Sequence, residues 1–584
     1  MNPVPPIDPK LLADTVPWFA HMPEPVREWL VGEFEALTLP GGATLFTAGS
    51  ASDCVYLLLS GSLGAFAPDD PARVIGQVVA GEAVGETGLI TGRPRSATVR
   101  ALRDSELLRL GRPKFEELAH RAPQAAMAMA RQALDRATVP QGQRQTLGPR
   151  TLALLPQTEG VDVSGFARTL AAALTRYGSV TTVGAGDGQG HDPAWFAALE
   201  AQHRYVIYIA NAADDAWRQL TLRQADALVF LAEPGAQPAP WAECARGLSA
   251  PLPRPEHLAL VHQGKPRLGA GRRWSRLRPR AQLHHVRNAD DVARVARLAV
   301  GRSLSLVLSG GGARGFAHIG VIKALREAGM AVDAVGGTSI GAIIAAGLAC
   351  DWSTEEMIAN FRRCFVETNP LSQWTLPVVS IKSGAKISRL LRETFGEREI
   401  EDLVLPYFCV SADLTEGRAA VHRSGPVWQW LRASVAIPGV LPPVFLGGQV
   451  HVDGGVINNL PVDVMRETHH GEVIAVDIGG DHAVRAHADE IDLPPWWKLI
   501  PDLFGRGKRP GILQVLLRAG MVNSGAATLA ARQSSSLLLA PALGNIDLLD
   551  WQAFDRAVDI GYQCAVRTLG GDFDSFSAQA PLVG

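Results

Sequence analysis

Between about residues 25 and 110, short apolar runs alternate with turns rich in Gly, Pro and Asp. The runs include "CVYLLLSG", "RVIGQVVAG", "SATVRAL" and "SELLRLG". Short strands at nearly regular spacing are typical of a small β-roll or barrel. A helical pattern follows in "RPKFEELAHRAPQAAMAMARQALDRA", and the polar stretch "TVPQGQRQTLGP" ends this part of the chain. The pattern predicts an N-terminal β-roll domain with helices over residues 1–140.

The pattern changes between residues 150 and 300. Apolar runs such as "YVIYIAN" and "DALVFLAEP" alternate there with helical stretches such as "GFARTLAAALTRYG". This alternation predicts an α/β domain of Rossmann-like type with a parallel sheet, to which the sequence assigns no role. The glycine-rich stretch "VGAGDGQGHD" (183–192) lacks the G-K-[ST] of a phosphate-binding P-loop, so we interpret it as a plain loop.

Residues 302–584 form a further α/β segment, with β-type runs such as "LSLVLS", "YFCVSADL" and "VIAVDIGG" and helical patterns towards the end. One window, "AVDAVGGTSIGAIIAAGLAC" (331–350), is apolar enough to be weighed as a membrane span. Because it contains Asp333 and four glycines, a buried strand, turn and helix is favoured. The chain is therefore expected to be a multidomain α/β protein.

Composition narrows the classes of function. The 584 residues are 47% hydrophobic and 20% charged, as in ordinary globular proteins, and the net charge of −2 gives no basic footprint for nucleic acid. The six cysteines are scattered, which argues against a disulfide framework or a zinc site and favours a reducing compartment. With no secretory signal at the start and no H-E-x-x-H or calcium-loop motif, we expect a cytoplasmic protein without a metal.

The stretch "LVLSGGGARGFAHIG" (306–320) reads as a buried strand, a glycine-rich turn and a helix. Gly310, Gly312 and Gly315 fit the G-x-G-x-x-G pattern of a dinucleotide site, and Asp333 follows at a suitable distance. The next strand, however, ends in "GTSIG" (337–341), a G-x-S-x-G turn that raises a serine above a sheet. The favoured interpretation is that the glycine loop holds the oxyanion formed when Ser339 attacks an ester.

A nucleophilic serine needs a base, and Asp453 in "HVDGGVINNLP" is the candidate. A complete triad would require a histidine after the aspartate, and His469 and His470 qualify by order. Their polar setting, "ETHHGE", looks more like a solvated helix end, and His318 after the glycine loop reads as structural. Spacing alone does not choose between a dyad and a triad.

At these motifs the chain resembles the patatin-like phospholipases. The resemblance rests on "GGGARGFAHIG", "GTSIG" and "VDGG", with further matches in "RASVAIPGVLPPV" (432–444) and "NNLPVDVM" (458–465). It implies an α/β hydrolase domain over 302–584, in which Ser339 is the nucleophile and Asp453 the base, without histidine. The implied oxyanion hole comprises Gly310, Gly311, Gly312, Ala313, Arg314 and Gly315. Arg314 is equally open to a contact with a phosphate headgroup and to plain solvation.

The N-terminal stretch "GEAVGETGLITGRPRSATVRA" (81–101) resembles the phosphate-binding cassette of cyclic nucleotide-binding domains. A short helix after Gly85 would present N–H groups to a phosphate, Arg95 could pair with its oxygens, and Glu86 could accept from the ribose. Ser96 completes the matched positions. The resemblance implies cAMP or cGMP as a regulator, and the alternative is a docking module without a ligand.

The order of these modules resembles the neuropathy target esterase branch of the patatin-like family. That resemblance implies hydrolysis of phospholipid or lysophospholipid acyl esters, with no required cofactor. The alternative is a nucleotide-gated lipid-binding scaffold with little turnover. The chain departs from the animal members in having one evident nucleotide-type module and no N-terminal transmembrane helix. The stretch "LPPWWKLIPDLFGRGKRPG" (493–511), with Trp496 and Trp497, is therefore weighed as a peripheral membrane contact against a role in the enzyme's own core.

Overall fold

The chain divides into two compact units in a computed structural model. The first unit comprises Met1–Val261 and Asn288–Val300, and the second comprises His262–Arg287 and Gly301–Gly584. The structure describes residues 12–577, with gaps at 14–15, 21, 71–72, 139–147, 192, 212–213, 238–253, 265, 267, 377, 470, 480–493 and 496–523.

The first unit begins with an antiparallel sheet in the order β1-β6-β3-β4, with β2 paired to β6 and β5 paired to β3. Its strands are β1 (Glu35–Leu39), β2 (Thr44–Phe46), β3 (Cys54–Phe66), β4 (Val74–Val79), β5 (Ala83–Val84) and β6 (Thr98–Gly111). The accompanying helices are Pro17–Ala20, Glu24–Glu33, Glu86–Thr91, Arg112–Arg121 and Pro123–Thr138. The predicted β-roll with helices is confirmed.

Alternation along the long strands separates two apolar clusters in this roll. Leu58 and Leu107 face the cluster inside the roll, whereas their neighbours Leu57 and Leu108 face the cluster formed with the helices. Successive side chains of a strand point to opposite faces, so strands buried on both faces need apolar residues at adjacent positions. This explains why "VYLLL" and "ELLRL" read as runs instead of a strict alternation.

The rest of the first unit is α/β. Parallel strands follow in the order β11-β10-β7-β9-β8. These strands are β7 (Thr151–Pro156), β8 (Val180–Val183), β9 (Tyr205–Ile209), β10 (Ala227–Ala232) and β11 (Glu256–Val261). The helices are Val163–Leu174, Thr175–Tyr177 (a 3-10 turn), Ala185–Gly188, Pro193–Gln202, Asp215–Gln224 and Ala289–Ala299. The parallel sheet is as predicted.

The prediction of a plain loop at residues 183–192 is wrong in part. Ala185–Gly188 forms one helical turn, and Gly188 is buried against the indole of Trp217. A Cβ at Gly188 would lie 2.3 Å from that ring, so the glycine allows the turn to pack closely. Composition indicated the flexible backbone but not the aromatic side chain that orders it.

The second unit contains a mixed sheet in the order β17-β18-β15-β14-β13-β19-β20, with β16 paired to β15. Strands β14, β13, β19 and β20 run parallel to β15, whereas β16 and β18 run antiparallel to it. The strands of this unit are β12 (Gln282–Val286), β13 (Leu304–Leu308), β14 (Ala334–Thr338), β15 (Tyr407–Asp413), β16 (Arg418–His422), β17 (Val444–Leu446), β18 (Gln449–Asp453), β19 (Glu472–Val476) and β20 (Leu537–Leu539).

Helices cover both faces of this sheet. They are Ala270–Leu277, Ala317–Glu327, Ile340–Ala349, Thr354–Phe361, Arg362–Glu367 (a π-helix), Ala385–Phe395, Val427–Ser434, Val462–Thr468, Ser524–Ser534 and Phe554–Ser577, with 3-10 turns at Gly312–Phe316, Ile400–Asp402, Gly454–Val456 and Trp551–Ala553. Leu306 and Leu308 join one buried cluster and Val307 joins another. A parallel strand covered on both faces needs a continuous apolar run, which "LSLVL" provides.

The apolar window 331–350 proves to be β14 followed by the helix Ile340–Ala349, as expected. Within the part of the chain that the structure describes, no helix is both long and apolar enough to cross a membrane. The stretch 493–511, apart from two prolines, lies outside the described residues, so the proposed role of Trp496 and Trp497 is not addressed by the structure.

Candidate active site

Ser339 lies in a sharp turn between the end of β14 and the helix Ile340–Ala349. Its backbone has φ 55° and ψ −126°, a region that side-chain-bearing residues rarely adopt. A Cβ at Gly341 would lie 2.3 Å from the carbonyl oxygen of Leu308, so the turn passes too close to β13 for any other residue. The Ser339 N–H donates to Ser434 Oγ at 2.9 Å, and this bond holds the turn in place.

Asp453 reaches Ser339 from the antiparallel strand β18, in which Asp453 is paired with Ser411 of β15. The Ser339 hydroxyl donates to Asp453 Oδ2 at 2.7 Å, and the Gly455 N–H donates to Oδ1 at 2.8 Å. Only 6% of Asp453 is exposed. Burial raises the pKa of its carboxyl to about 6, although the hydrogen bonds from Ser339 and Gly455 act in the opposite direction.

The glycine loop lies directly against the serine. A Cβ at Gly310 would be 3.0 Å from the Cβ of Ser339 and 2.6 Å from Asn459 Oδ1. Two of the loop's N–H groups are engaged, because Gly310 donates to the Asn459 carbonyl at 3.3 Å and Ala313 donates to the Leu548 carbonyl at 2.8 Å. Among the described residues, the N–H groups of Gly311 and Gly312 have no backbone acceptor outside the loop's own turn. The loop can therefore offer these two donors to a developing oxyanion.

The remaining residues of the loop have other contacts. Gly315 packs against Ile340, since a Cβ there would lie 2.4 Å from that side chain. Arg314 Nε donates to the carbonyl of Ile546 at 2.7 Å, and partial burial lowers the pKa of its guanidinium. Arg314 is thus anchored to the same 546–548 loop that accepts the Ala313 N–H.

The histidines considered for a triad lie elsewhere or have structural contacts. His318 is buried, its Nε2 lies 2.9 Å from the carbonyl oxygen of Ser309, and burial lowers its pKa to about 4. His469 is buried beside Gln282, contrary to the solvated helix end expected for it, and His470 lies outside the described residues. In the described part of the chain, no histidine bonds to Ser339 or to the carboxylate of Asp453.

Asp333 does not occupy the position that a dinucleotide site requires. It precedes β14 and is fully buried, with Oδ2 accepting the N–H of Leu304 at 3.0 Å. It therefore ties together the amino ends of β13 and β14. A ribose-binding carboxylate would lie at the opposite, carboxyl edge, where the glycine loop is found.

Sequence reasoning did not identify two supporting residues. Ser434 accepts the Ser339 N–H and donates to the Val410 carbonyl at 2.6 Å. Asn459 makes two hydrogen bonds to Gly310. The Asn459 backbone carbonyl accepts the Gly310 N–H, and the Asn459 Nδ2 group donates to the Gly310 carbonyl at 3.3 Å. Both lie within motifs noted in the sequence, 432–444 and 458–465, but only the tertiary contacts reveal what they position.

The N-terminal candidate site brings together Gly85, Glu86 and Arg95. Gly85 has φ +87°, and a Cβ there would collide with Arg95 Nη1 at 2.1 Å. Arg95 is buried, donates to the carbonyls of Gly85 (2.9 Å) and Cys54 (2.7 Å), and lies over the ring of Phe46. Glu86 is also buried, whereas Ser96 is exposed. The guanidinium is thus directed at backbone carbonyls within the roll.

Comparison with known proteins gives two family matches. Residues 306–466 match the patatin-like phospholipase family, and residues 36–122 match the cyclic nucleotide-binding domain. The described residues contain no cluster of side chains suited to a metal ion.

Full-length relatives extend these matches. An uncharacterised NTE family protein of Mycobacterium tuberculosis is 32% identical over 95% of both chains. The human patatin-like phospholipase domain-containing protein 6 is 30% identical over 91% of this chain and 44% of its own length. A lysophospholipase of Aspergillus niger is 29% identical over 90% of this chain and 41% of its own length.

Proposed function

The chain belongs to the NTE family of patatin-like phospholipases and is a lipid esterase, and we propose that it cleaves acyl esters of phospholipids or lysophospholipids with a Ser339–Asp453 dyad. The observation that carries this proposal is the 2.7 Å hydrogen bond from the Ser339 hydroxyl to the buried Asp453 carboxylate. The Aspergillus niger relative is a lysophospholipase by name, which supports lysophospholipids as the substrate class.

The proposed reaction begins when Ser339 Oγ attacks the ester carbonyl carbon and its proton passes to Asp453 Oδ2. The carbonyl oxygen becomes an oxyanion, for which Gly311 and Gly312 supply backbone N–H donors. When the tetrahedral intermediate collapses, the ester C–O bond breaks and the departing alcohol takes the proton from Asp453. Water then gives a proton to Asp453 and attacks the acyl-enzyme, and the fatty acid leaves as Ser339 recovers its proton.

A lipid-binding scaffold without turnover is the alternative. Such a scaffold would have no use for a strained serine backbone or for an aspartate whose pKa is raised towards neutrality. Both features cost stability, and strain of this kind is typical of catalytic sites. The geometry therefore favours an enzyme.

Fatty-acid release from lysophosphatidylcholine tests the dyad. We expect wild type to release fatty acid and both Ser339→Ala and Asp453→Asn to lose at least about a thousandfold in kcat/KM, because the nucleophile and its base act as one unit. Matched controls are Ser305→Ala, a buried serine on β13, and Asp333→Asn, a buried aspartate at the other end of the sheet. Both controls should remain active.

The outcomes separate the alternatives. If the Asp453→Asn variant were active, a histidine would be the better candidate for the base, and the proposed dyad would be excluded. If wild type released no fatty acid from several lipids, with and without cyclic nucleotide, the scaffold would be the better account.

We also propose that the N-terminal domain binds cAMP or cGMP through Gly85, Glu86, Arg95 and Ser96 and thereby regulates hydrolysis. The match to cyclic nucleotide-binding domains and the contact between Arg95 and Gly85 support this. A cyclic phosphate would replace the Gly85 and Cys54 carbonyls as the acceptor for Arg95. No cofactor is needed for the hydrolysis itself.

A further inference from the structure

Six large apolar side chains near the sheet edge that bears Ser339 are more than half exposed. Val378 and Leu376 are 86% and 81% exposed. The set, here called the apolar rim, is Trp374, Leu376, Val378, Val379, Leu414 and Phe445. Exposed apolar side chains gathered in one region of a folded protein commonly mark a surface for a partner or a membrane.

Most of the rim lies on one closed loop. The Thr375 N–H donates to the Ile381 carbonyl at 3.2 Å, and the Ser383 N–H donates to the Gln373 carbonyl at 3.1 Å. The backbone bonds at the base of this loop leave Leu376, Val378 and Val379 at its tip. These apolar side chains thus lie beyond the backbone bonds that close the loop at its base.

The other two members extend past the carboxyl edge of the sheet. Strand β15 ends at Asp413, and the Leu414 N–H donates to the Val450 carbonyl at 2.8 Å. Phe445 is paired with Val450 on the β17–β18 hairpin. Asp453 ends β18, which pairs with β17 on one side and with β15 on the other, so Phe445 and Leu414 lie on or just after the two strands that flank the strand of Asp453.

One segment connects the rim loop to both members of the dyad. Ser434 binds the Ser339 N–H, Ala436 accepts the Asp453 N–H at 2.9 Å, and Gly439 and Val440 accept the N–H groups of Ile381 and Lys382. Gly439 follows Ala436 by three positions, so their backbones are at most about 11 Å apart, given about 3.6 Å per extended residue. The base of the rim loop is therefore attached close to the backbone that positions Asp453.

The chain segment that carries the loop is basic. Residues 368–392 contain four basic residues and no acidic residue. Arg389 and Arg392 pair with Glu393 and Glu397. The Lys386 ammonium donates to the Thr368 carbonyl and to Ser372 Oγ. Lys382 has no acidic partner within the described part of the chain, and its ammonium lies 3.2 Å from the ring centroid of Trp374. An aromatic ring beside an unneutralised lysine is typical of the headgroup region of a membrane.

We propose that the apolar rim, with Lys382, docks this enzyme onto a phospholipid bilayer that carries anionic headgroups. The proposal rests on the proposed function, because it places the dyad where an acyl ester would leave the bilayer. The aliphatic and aromatic side chains enter the interface, and Lys382 meets the phosphates. None of the residues of this surface belongs to the stretch 493–511 considered from the sequence.

Vesicle co-sedimentation of the full chain tests the proposal. In a Ser339→Ala background, we compare the rim variant Leu376→Ser, Val378→Ser with vesicles of phosphatidylcholine containing phosphatidylglycerol. We expect binding at least about tenfold weaker than that of the parent, because two side chains no longer enter the interface. The matched control is Leu529→Ser, which is 56% exposed on the helix that leads into β20, at the opposite edge of the sheet from β17. This control should bind like the parent.

A second variant isolates the charge. Lys382→Gln should weaken binding to the anionic vesicles about fivefold and leave binding to pure phosphatidylcholine unchanged. Added salt should remove the difference between Lys382→Gln and the parent, since it screens the lysine–phosphate attraction.

Several results would overturn the proposal. Vesicle binding by the rim variant equal to that of the parent would exclude the rim. The rim substitutions can also be made in the enzyme that retains Ser339. If they lowered hydrolysis of a vesicle lipid and of a soluble short-chain ester equally, the rim would be part of the acyl-binding site. If light scattering showed that wild type is a dimer and that the rim substitutions make it a monomer, the rim would be a self-association surface. Because binding is measured without turnover, a failed hydrolysis test leaves this result intact.

Discussion

The carboxyl group of Asp453 is removed from water, and this burial gives it a basicity that an aspartate in solution lacks. An ordinary aspartate would hold its proton too weakly to draw one from serine at neutral pH. Desolvation moves the pKa of Asp453 from 3.8 to about 6, while the Ser339 and Gly455 hydrogen bonds limit the rise. In the proposed dyad, burial would thus supply the basicity that a histidine supplies in a triad.

This pKa predicts the pH dependence of hydrolysis. The base acts in its ionised form, so kcat/KM on a soluble ester should rise with pH through about 6 and level off above 7. A midpoint that moves strongly with temperature would contradict this assignment, because protonation of an imidazole releases much heat and protonation of a carboxylate releases little.

The same shift has a consequence for stability. Because the folded-state pKa is raised, this group's stabilising contribution is complete below about pH 4 and is lost as pH rises through about 6. A shift of about two pKa units corresponds to a cost of about 3 kcal/mol at neutral pH. Asp453→Asn should therefore raise the free energy of unfolding at pH 7.5, and urea titrations should show this gain disappearing near pH 4.

At the scale of elements, the active site depends on how closely the glycine loop approaches the turn at Ser339. The loop follows β13 and the turn follows β14, and parallel neighbours bring both to one edge of the sheet. The sequence predicted this meeting from two strand–turn–helix patterns. It did not predict that Asn459 and Leu548 take up two of the loop's N–H groups, since these contacts come from distant parts of the chain.

Gly310→Ala tests this close approach. The new Cβ would fall 2.6 Å from Asn459 Oδ1 and 3.0 Å from Ser339 Cβ, so the loop must move away from the serine. We expect kcat/KM for an ester to fall at least about a hundredfold, the typical effect of losing an oxyanion donor.

The control is Gly525→Ala on the helix Ser524–Ser534, where a Cβ would meet nothing within 4 Å. It should keep full activity and gain slight stability, because alanine favours a helix more than glycine does. Full activity in Gly310→Ala would show that the loop does not supply the oxyanion hole.

At the scale of the whole molecule, a cyclic nucleotide-binding domain precedes the esterase in one chain. If the nucleotide regulates hydrolysis, cAMP or cGMP should give a binding signal in calorimetry and change the rate of lysophospholipid cleavage. Arg95→Gln should weaken nucleotide binding at least about tenfold, since it removes a charged donor to the phosphate.

Arg93→Gln is the matched control, because Arg93 is exposed in the same loop. Circular dichroism should be recorded for both variants to check that they fold, because Arg95 also donates hydrogen bonds to two carbonyls of the roll. If calorimetry showed no heat of binding with either nucleotide at millimolar concentration, and the rate of hydrolysis were unchanged, the N-terminal domain would be a docking module without a ligand.

The sequence by itself determined the α/β architecture, the β-roll and the order of the motifs, because these follow from local apolar periodicity and from glycines that permit tight turns. It also singled out Ser339 and Asp453 as candidates. Only the tertiary structure decided that they share a hydrogen bond, that Asp333 lies at the wrong edge of the sheet for a ribose, and that His318 and His469 lie apart from the dyad. The contact between Ser339 and Asp453 joins segments more than a hundred residues apart, and the settings of Asp333 and His318 likewise depend on how separate elements pack, which no local pattern encodes.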